Sequence, residues 1–278
     1  MKLYKIQSGI VIERANEFAL LKGEDWDTFI NEVDLFAKME ALMKPSLLVS
    51  DGHELIEKEI MAPVGRQELW ACGVTYLRSK IGRQEESKDG GGGDFYERVY
   101  AAERPEVFFK STPHRIVGHG GLVRIRKDSS WNVPEPELTL VVNKFAKIVG
   151  YTIGNDMSSR SIEGENPLYL PQAKTYDGCA AVGPCLLVTR DVLDPATTIR
   201  LEIIRGGKGV FEGNVAVSQM KRTFSELVSF VFRECSFPYG CLVMTGTGIV
   251  PANDFTLWSK DEIRITIDGI GTLVNSVQ

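Results

Sequence analysis

From residue 69 onward the chain is a succession of short apolar runs broken by turn formers: "EVFFK", "LTLVVN", "KIVGYTIGN", "CLLVT", "TIRLEIIRGGKGVFEGN" and "EIRITIDGIGTLVN". Runs this short, rich in β-branched residues and bounded by glycine, are strands rather than helices. Glycine and Asp-Gly supply the positive φ angles of tight hairpins, so "RGGKG" and "IDGIG" each join two strands. A single helix interrupts the pattern, roughly "TFSELVSFVFRECS", with Phe224, Leu227, Val228 and Val231 on one face. The N-terminal segment differs. It mixes "KLYKIQ" and "GIVIE" with a helical stretch, "DWDTFINEVDLFAKMEALM", in which Phe29, Ile30, Val33, Phe36 and Met39 recur at near-helical spacing and Asp25 or Asp27 caps the start. The expected fold is α+β and mainly β: a small N-terminal α+β domain over residues 1–68, closing near Pro63 and Gly65, then a β-rich domain over 69–278 with no internal repeat.

With 278 residues, 43% hydrophobic and 25% charged, the chain can bury a sizeable core. A net charge of -5 and a pI near 5.4 give no basic footprint for a phosphate backbone, so no nucleic-acid partner is expected. Charges interrupt "MKLYKIQSGIVIERANEFALL" before a signal-like apolar core forms, and no segment has the apolar length of a membrane span. Five cysteines (Cys72, Cys179, Cys185, Cys235 and Cys241) are scattered without a CxxC pair. That argues for reduced thiols in a cytoplasmic protein and against a cysteine zinc site. "IIRGGKG" lacks the Ser or Thr of a P-loop, "GGGG" neither follows a strand nor opens a helix, and there is no GxSxG elbow.

Within "WNVPEPELTLVV", residues 131–142, strand alternation puts Glu135, Glu137 and Thr139 on one face and Leu138, Leu140 and Val142 on the other. A solvated face is the plain reading of that pair. Burying two adjacent carboxylates is unfavourable unless a cation compensates. Further on, Asp156 ends a strand-like segment in "GYTIGNDMSSRS", where capping a helix from Met157 is its ordinary role. Lys174 precedes an Asp-Gly turn in "LPQAKTYDGCAAVGP". One interval stands apart: "RQEESKDGGGGDFYERVYAAERPEV", with Gly90 to Gly93, reads as a flexible loop, either a connector or a lid that orders over a ligand.

Taken in order, Glu135-Pro-Glu137, then "GYTIGNDMSSR" with Asp156, then "AKTYDGCAAVGP" with Lys174, then "TGTG" at Thr245 to Gly248, resemble the fumarylacetoacetate hydrolase superfamily over about residues 69 to 270. The resemblance implies a mixed β-sandwich or roll for the C-terminal domain, and a divalent cation held by Glu135, Glu137 and Asp156. Three carboxylates without histidine or thiol suit a hard ion, Mg2+ first, with Mn2+ or Ca2+ as alternatives. Open positions would accept the carboxylate and keto oxygens of a small-molecule 2-oxo acid, whose C3–H the cation acidifies towards an enolate. Lys174 would act as base or hold substrate oxygens.

Hydrolytic members of the superfamily carry a histidine and a glutamate in a lid motif resembling G-x-N-Y-x-x-H-x-x-E. Here "CGVTYLRSKIGRQEE" holds Ser79 and Gly82 at those positions. Of the three histidines, His53 lies in the N-terminal region and His114 and His119 in "PHRIVGHGG", read as structural. "GVTYLRS", "ERPEVFFKSTPHRIVG" and "VPEPELTLV" look instead like the branch containing 2-keto-3-deoxy-D-arabinonate dehydratase. That implies loss of water from a 2-keto-3-deoxy sugar acid to give a dioxo acid such as 2,5-dioxopentanoate. On this reading Arg78 and Ser79 face the substrate, Glu103 is a candidate acid or base, and Thr247 binds the carboxylate. An acylpyruvate-type hydrolase or decarboxylase, with Glu85, Glu86 or another group in the glycine-rich lid replacing the dyad, is the alternative enzyme; a non-catalytic, metal-stabilised structural or sugar-acid-binding protein is a third reading. The resemblance also implies a homodimer or homotetramer.

Overall fold

The computed structural model describes residues 1–86 and 93–278. Three antiparallel strands open the chain: β1 (Lys2–Ile6), β2 (Gly9–Arg14) and β3 (Glu17–Lys22). The expected long N-terminal helix is two short ones, α1 (Trp26–Ile30) and α2 (Leu35–Leu42). Asp25 and Asp34 each accept an amide at a helix start, so the second capping side chain restarts the helix where one apolar stripe suggested continuity. Asp27 does not cap; it binds Arg66 and Gln67. Helix α3 (Gly52–Glu59) follows.

Strand β4 (Glu68–Gly73) leads into two helices, α4 (Leu77–Glu86) and α5 (Gly93–Ala101), and strand β5 (Glu106–Ser111) returns. The interval expected to be a loop is thus helical on both flanks, while Gly90 to Gly92 lie outside the described residues. Strands β6 (Pro136–Val142) and β7 (Ile148–Asp156) form a hairpin, followed by α6 (Arg160–Glu165), α7 (Leu170–Lys174) and β8 (Ala180–Leu187). The hairpin of β9 (Thr198–Arg205) and β10 (Lys208–Ala216) turns at Gly206-Gly207, and that of β12 (Glu262–Ile267) and β13 (Gly271–Val277) turns through Asp268-Gly269, as the glycines require. Between them lie α8 (Phe224–Val231), capped by Thr223, and β11 (Cys241–Met244). Among the described residues, five helices rather than one follow residue 69; of those beside the site, α6 and α7 are too short to show a periodicity.

The longer strands of the large mixed sheet run β3-β2-β1-β8-β7-β6-β11-β4-β5, with β11 parallel to β4. The N-terminal strands extend this sheet through the β1–β8 pairing. A second sheet, β10-β9-β12-β13, packs on one face. Leu138, Leu140, Ile153, Leu201, Ile203 and Ile265 fill that interface. The other face carries Val141, Leu242 and Met244 against Phe29, Ile30, Leu35 and Met39 of α1 and α2. Each such fully buried side chain contributes about 1.5–3 kcal/mol. With both sides covered, β6 is buried throughout, so Glu135 and Glu137 cannot lie on a solvated face. No helix among the described residues is long and apolar enough to cross a membrane.

Candidate functional site

Glu135 and Asp156 are held opposite each other by two main-chain bonds, Glu135 N to Asp156 O at 3.2 Å and Asp156 N to Glu135 O at 2.9 Å. Glu137 stands opposite Gly154, where a Cβ would meet Thr139 Oγ1 at 2.3 Å. Ligand oxygens of Glu135, Glu137 and Asp156 therefore lie within 4.8 Å of one another, all three residues buried. Burial, then the Asp156 and Glu135 carboxylates, push Glu137 well above the ordinary carboxylate range, although the Gly246 amide donates to its Oε2 at 2.5 Å. Three buried oxygen donors with this repulsion between them fit a hard divalent ion such as Mg2+.

Two lysines flank the triad. Lys174 closes α7, and its Nζ lies 2.5 Å from Glu135 Oε2, 3.1 Å from Asp156 Oδ2 and 2.6 Å from Ser158 Oγ. Lys110, fully buried on β5, pairs with Asp156 Oδ1 at 2.7 Å and donates to the carbonyls of Met157 and Lys174. Against the burial that opposes ionisation, these two ammonium groups hold Asp156 below the usual carboxylate range. Helix α6 adds Arg160, 2.7 Å from Glu135 Oε1, and Glu163.

Alternation along β5 puts Glu106, Phe108 and Lys110 on one side, with Phe108 5.8 Å from the Lys174 ammonium. Glu106 pairs with Gly73, where a Cβ would meet Glu106 Oε2 at 1.8 Å; the glycine exists to admit this carboxyl. That oxygen is buried without a hydrogen-bond partner among the described residues. Burial raises Glu106 above the ordinary carboxylate range, with Glu135 and Asp156 adding to it and Arg83 and Lys174 opposing. A carboxyl shifted in this direction holds its proton more readily than an exposed one, as a proton donor must.

Helix α4 begins after a turn in which β-branched Val74 takes φ 54°. This costly geometry is fixed on one side by Thr75 Oγ1 donating to Thr245 O at 2.6 Å. Ser79, Gly82 and Arg83 form the buried face of the helix. Arg83 reaches Glu163 and lies 3.7 Å from Glu135.

The structure thus brings Glu135, Glu137, Asp156 and Lys174 together, and it buries Ser79 on α4 one turn before Arg83. Arg78 sits at the rim, exposed but near enough to Arg160 to help lower its pKa after burial and Arg83. Thr247 is buried in the loop after β11 beside Gly246, and its hydroxyl bonds the main chain of Ile249. Glu103 is exposed in the turn before β5, and its carbonyl is bound by Arg222. The carboxyl that this segment sends to the site is Glu106 instead, because the strand begins there. His119 accepts the Val274 amide, a structural contact, and His114 is exposed. The side chains of Glu85 and Glu86 lie outside the described ones. Glu106 and Lys110 were legible as the strand partners of Phe108; Arg83, Arg160 and Glu163 left no comparable signal.

The model of the fumarylacetoacetate (FAA) hydrolase C-terminal domain matches residues 84–278. A probable 2-keto-3-deoxyxylonate dehydratase of Haloferax volcanii is 48% identical over 80% of this chain and 76% of its own. The 2-dehydro-3-deoxy-D-arabinonate dehydratase of Saccharolobus solfataricus is 42% identical over 84% of this chain and 78% of its own. Among solved structures, a 2-keto-3-deoxy-D-arabinonate dehydratase complexed with magnesium and 2,5-dioxopentanoate superposes with a TM-score of 0.84 at 36% identity, covering 100% of this chain and 99% of that one. By the domain match and by identity across most of each relative's length, the chain belongs to the fumarylacetoacetate hydrolase family.

Proposed function

We propose that this protein is a Mg2+-dependent dehydratase that converts a 2-keto-3-deoxy-pentonate of the arabinonate or xylonate type to 2,5-dioxopentanoate. The identity to the two dehydratases supports the activity, and the magnesium and 2,5-dioxopentanoate held by the solved relative support the cofactor and product. The observation that carries the choice of chemistry is the buried face of α4, which presents Ser79, Gly82 and Arg83. None of these activates water, whereas an elimination needs one base and one acid, and the body of the fold supplies both.

Glu135, Glu137 and Asp156 would hold the ion. Bound there, it would draw electron density from the substrate's keto group and acidify the neighbouring C3–H. With Glu135 and Asp156 turned to the ion, Lys174 would lose its ammonium proton to solvent and, as the neutral amine, take the C3 proton. Glu106 gives its proton to the departing C4 hydroxyl, so that the C3–H and C4–O bonds break, the C3–C4 double bond forms and water leaves. Proton shifts from C5 then give the dioxo acid. Ser79 and Arg78 would line the approach, and Thr247 would place the substrate carboxylate beside Glu137. We extend the proposal to a homodimer or homotetramer working in the cytoplasm, with residues 1–68 as a small domain on the catalytic domain at 69–278.

Purified protein with Mg2+ is given 2-keto-3-deoxy-pentonates of both C4 configurations, with acetylpyruvate in parallel. Formation of 2,5-dioxopentanoate, abolished in Glu137→Gln, is expected. Pyruvate and acetate from acetylpyruvate, with the sugar acids untouched, would sink the proposal in favour of hydrolysis.

A further inference from the structure

Ser158 follows Asp156 by two residues, on a short strand (Ser158–Ser159) that pairs with Asn132–Val133, and both side chains reach the Lys174 ammonium. The main chain is tied down on either side of it: Met157 N donates to Cys179 O at 3.0 Å, and Arg160 N to Trp131 O at 2.8 Å. The Ser158 hydroxyl is thus carried on a fixed backbone, and it is fully buried. Its one proton goes to Asp156 O at 3.0 Å, so towards Lys174 Nζ, 2.6 Å away, it offers only a lone pair.

Lys174 needs such a partner. Its Nζ ends a flexible four-carbon stem, and that freedom has to be removed before an amine can meet a C–H bond in line. Three acceptors lie within 3.1 Å: Glu135 Oε2, Asp156 Oδ2 and Ser158 Oγ. The first two belong to the triad grouped to hold an ion, which would compete for their oxygens. Glu163 Oε1, at 3.9 Å, is beyond hydrogen-bond reach. Among the described residues, Ser158 Oγ is therefore the acceptor of Nζ that an ion leaves untouched. A neutral amine has two N–H groups and one lone pair in tetrahedral directions. With one N–H held by Ser158 and the other by a triad oxygen, the lone pair is left a single direction.

We propose that Ser158 is a positioning residue for proton transfer: by accepting a hydrogen bond from Lys174 Nζ it aims the amine at the substrate's C3–H. The inference rests on the reading of Lys174 as the base.

The test is deuterium exchange at C3 of 2-oxobutyrate, in D2O, by the Mg2+-loaded full chain, followed by proton magnetic resonance. This acid has no C4 hydroxyl to lose, so proton removal is read by itself. The proton passes from C3 to Nζ, Nζ trades it for a solvent deuteron, and the deuteron returns to C3. Ser158→Ala should slow exchange by about 10–100-fold, the scale of a slightly displaced reacting group. The Kd of 2-oxobutyrate by calorimetry and the Mn2+ affinity by electron paramagnetic resonance should each stay within about threefold, since the hydroxyl bonds only Nζ and a main-chain oxygen. Ser158→Thr, which keeps the hydroxyl, should exchange within about threefold of wild type. Ser158→Cys keeps the shape with a weak acceptor; it should be as slow as the alanine variant, and it carries the test if that variant does not fold. Crystals of the Mg2+-loaded wild type should keep Nζ within hydrogen-bond distance of Ser158 Oγ.

Four results would each overturn the inference while leaving Lys174 as base: exchange by Ser158→Ala at the wild-type rate, a fall in exchange that only follows weaker binding, a threonine variant that binds yet exchanges as slowly as the alanine one, or loaded crystals in which the two atoms have parted. If the loaded wild type does not exchange, or Lys174→Met exchanges as fast as it does, the base reading falls and takes this inference with it.

Discussion

Burial and the carboxylates of Asp156 and Glu135 push Glu137 above its ordinary range, and this fixes a sign. A carboxyl whose folded-state pKa is raised contributes stability below its unfolded value of about 4.3, and that contribution is lost as pH rises through the folded value. The metal-free protein should therefore lose thermal stability as pH rises above about 4.3 and through the raised folded value, and Glu137→Gln should flatten that slope in a melting series. Glu106→Gln should leave Mn2+ affinity unchanged and lower kcat by about 10²–10⁴-fold, the range for a positioned proton donor. In the wild type, kcat should fall on the alkaline side as Glu106 ionises; residual activity of the variant should lack that limb. Alternation puts Glu135 and Glu137 on one face, but the triad was legible only through the resemblance of the motifs that carry Glu135, Glu137 and Asp156 to the fumarylacetoacetate hydrolase superfamily. Glu106 was open to the alternation argument, since "EVFFK" is a strand and Glu106, Phe108 and Lys110 alternate along it. Glu103, three residues earlier, is the acidic residue of the exposed turn.

Elements hold these groups in place through close contacts that small changes should break. Gly73→Ala puts a methyl where the Glu106 carboxyl lies, so the expected result is a folded protein with intact Mn2+ binding and sharply reduced kcat, read by melting, paramagnetic resonance and turnover. Lys110→Met fills similar volume but strips the ammonium that serves Asp156, Met157 O and Lys174 O. Denaturant unfolding should show a loss of about 3–5 kcal/mol, as for breaking a buried pair by removing one partner. Strands and hairpins were legible because period-two patterns and glycine turns are local. Helices α4 and α5 were not: the glycine run between them outweighed weak helical periodicity in a charged sequence. Helices α6 and α7 are five or six residues long, held by Arg160 and Lys174 reaching the triad rather than by an apolar stripe.

At the scale of the whole molecule, a sheet covered on both faces turns the acidic triad into a buried charge that a divalent ion would relieve. An ion that binds the folded state alone stabilises it by about 2.7 kcal/mol at a hundredfold excess over its Kd. Mg2+ should thus raise Tm by several degrees, an increment removed by chelator and absent in Glu137→Gln. The most direct measurement is the mass of what the Mg2+-loaded protein makes from a 2-keto-3-deoxy-pentonate. A single product lighter than substrate by one water, carrying an aldehyde, is expected; a pair of fragments that together weigh one water more than the substrate would contradict dehydration.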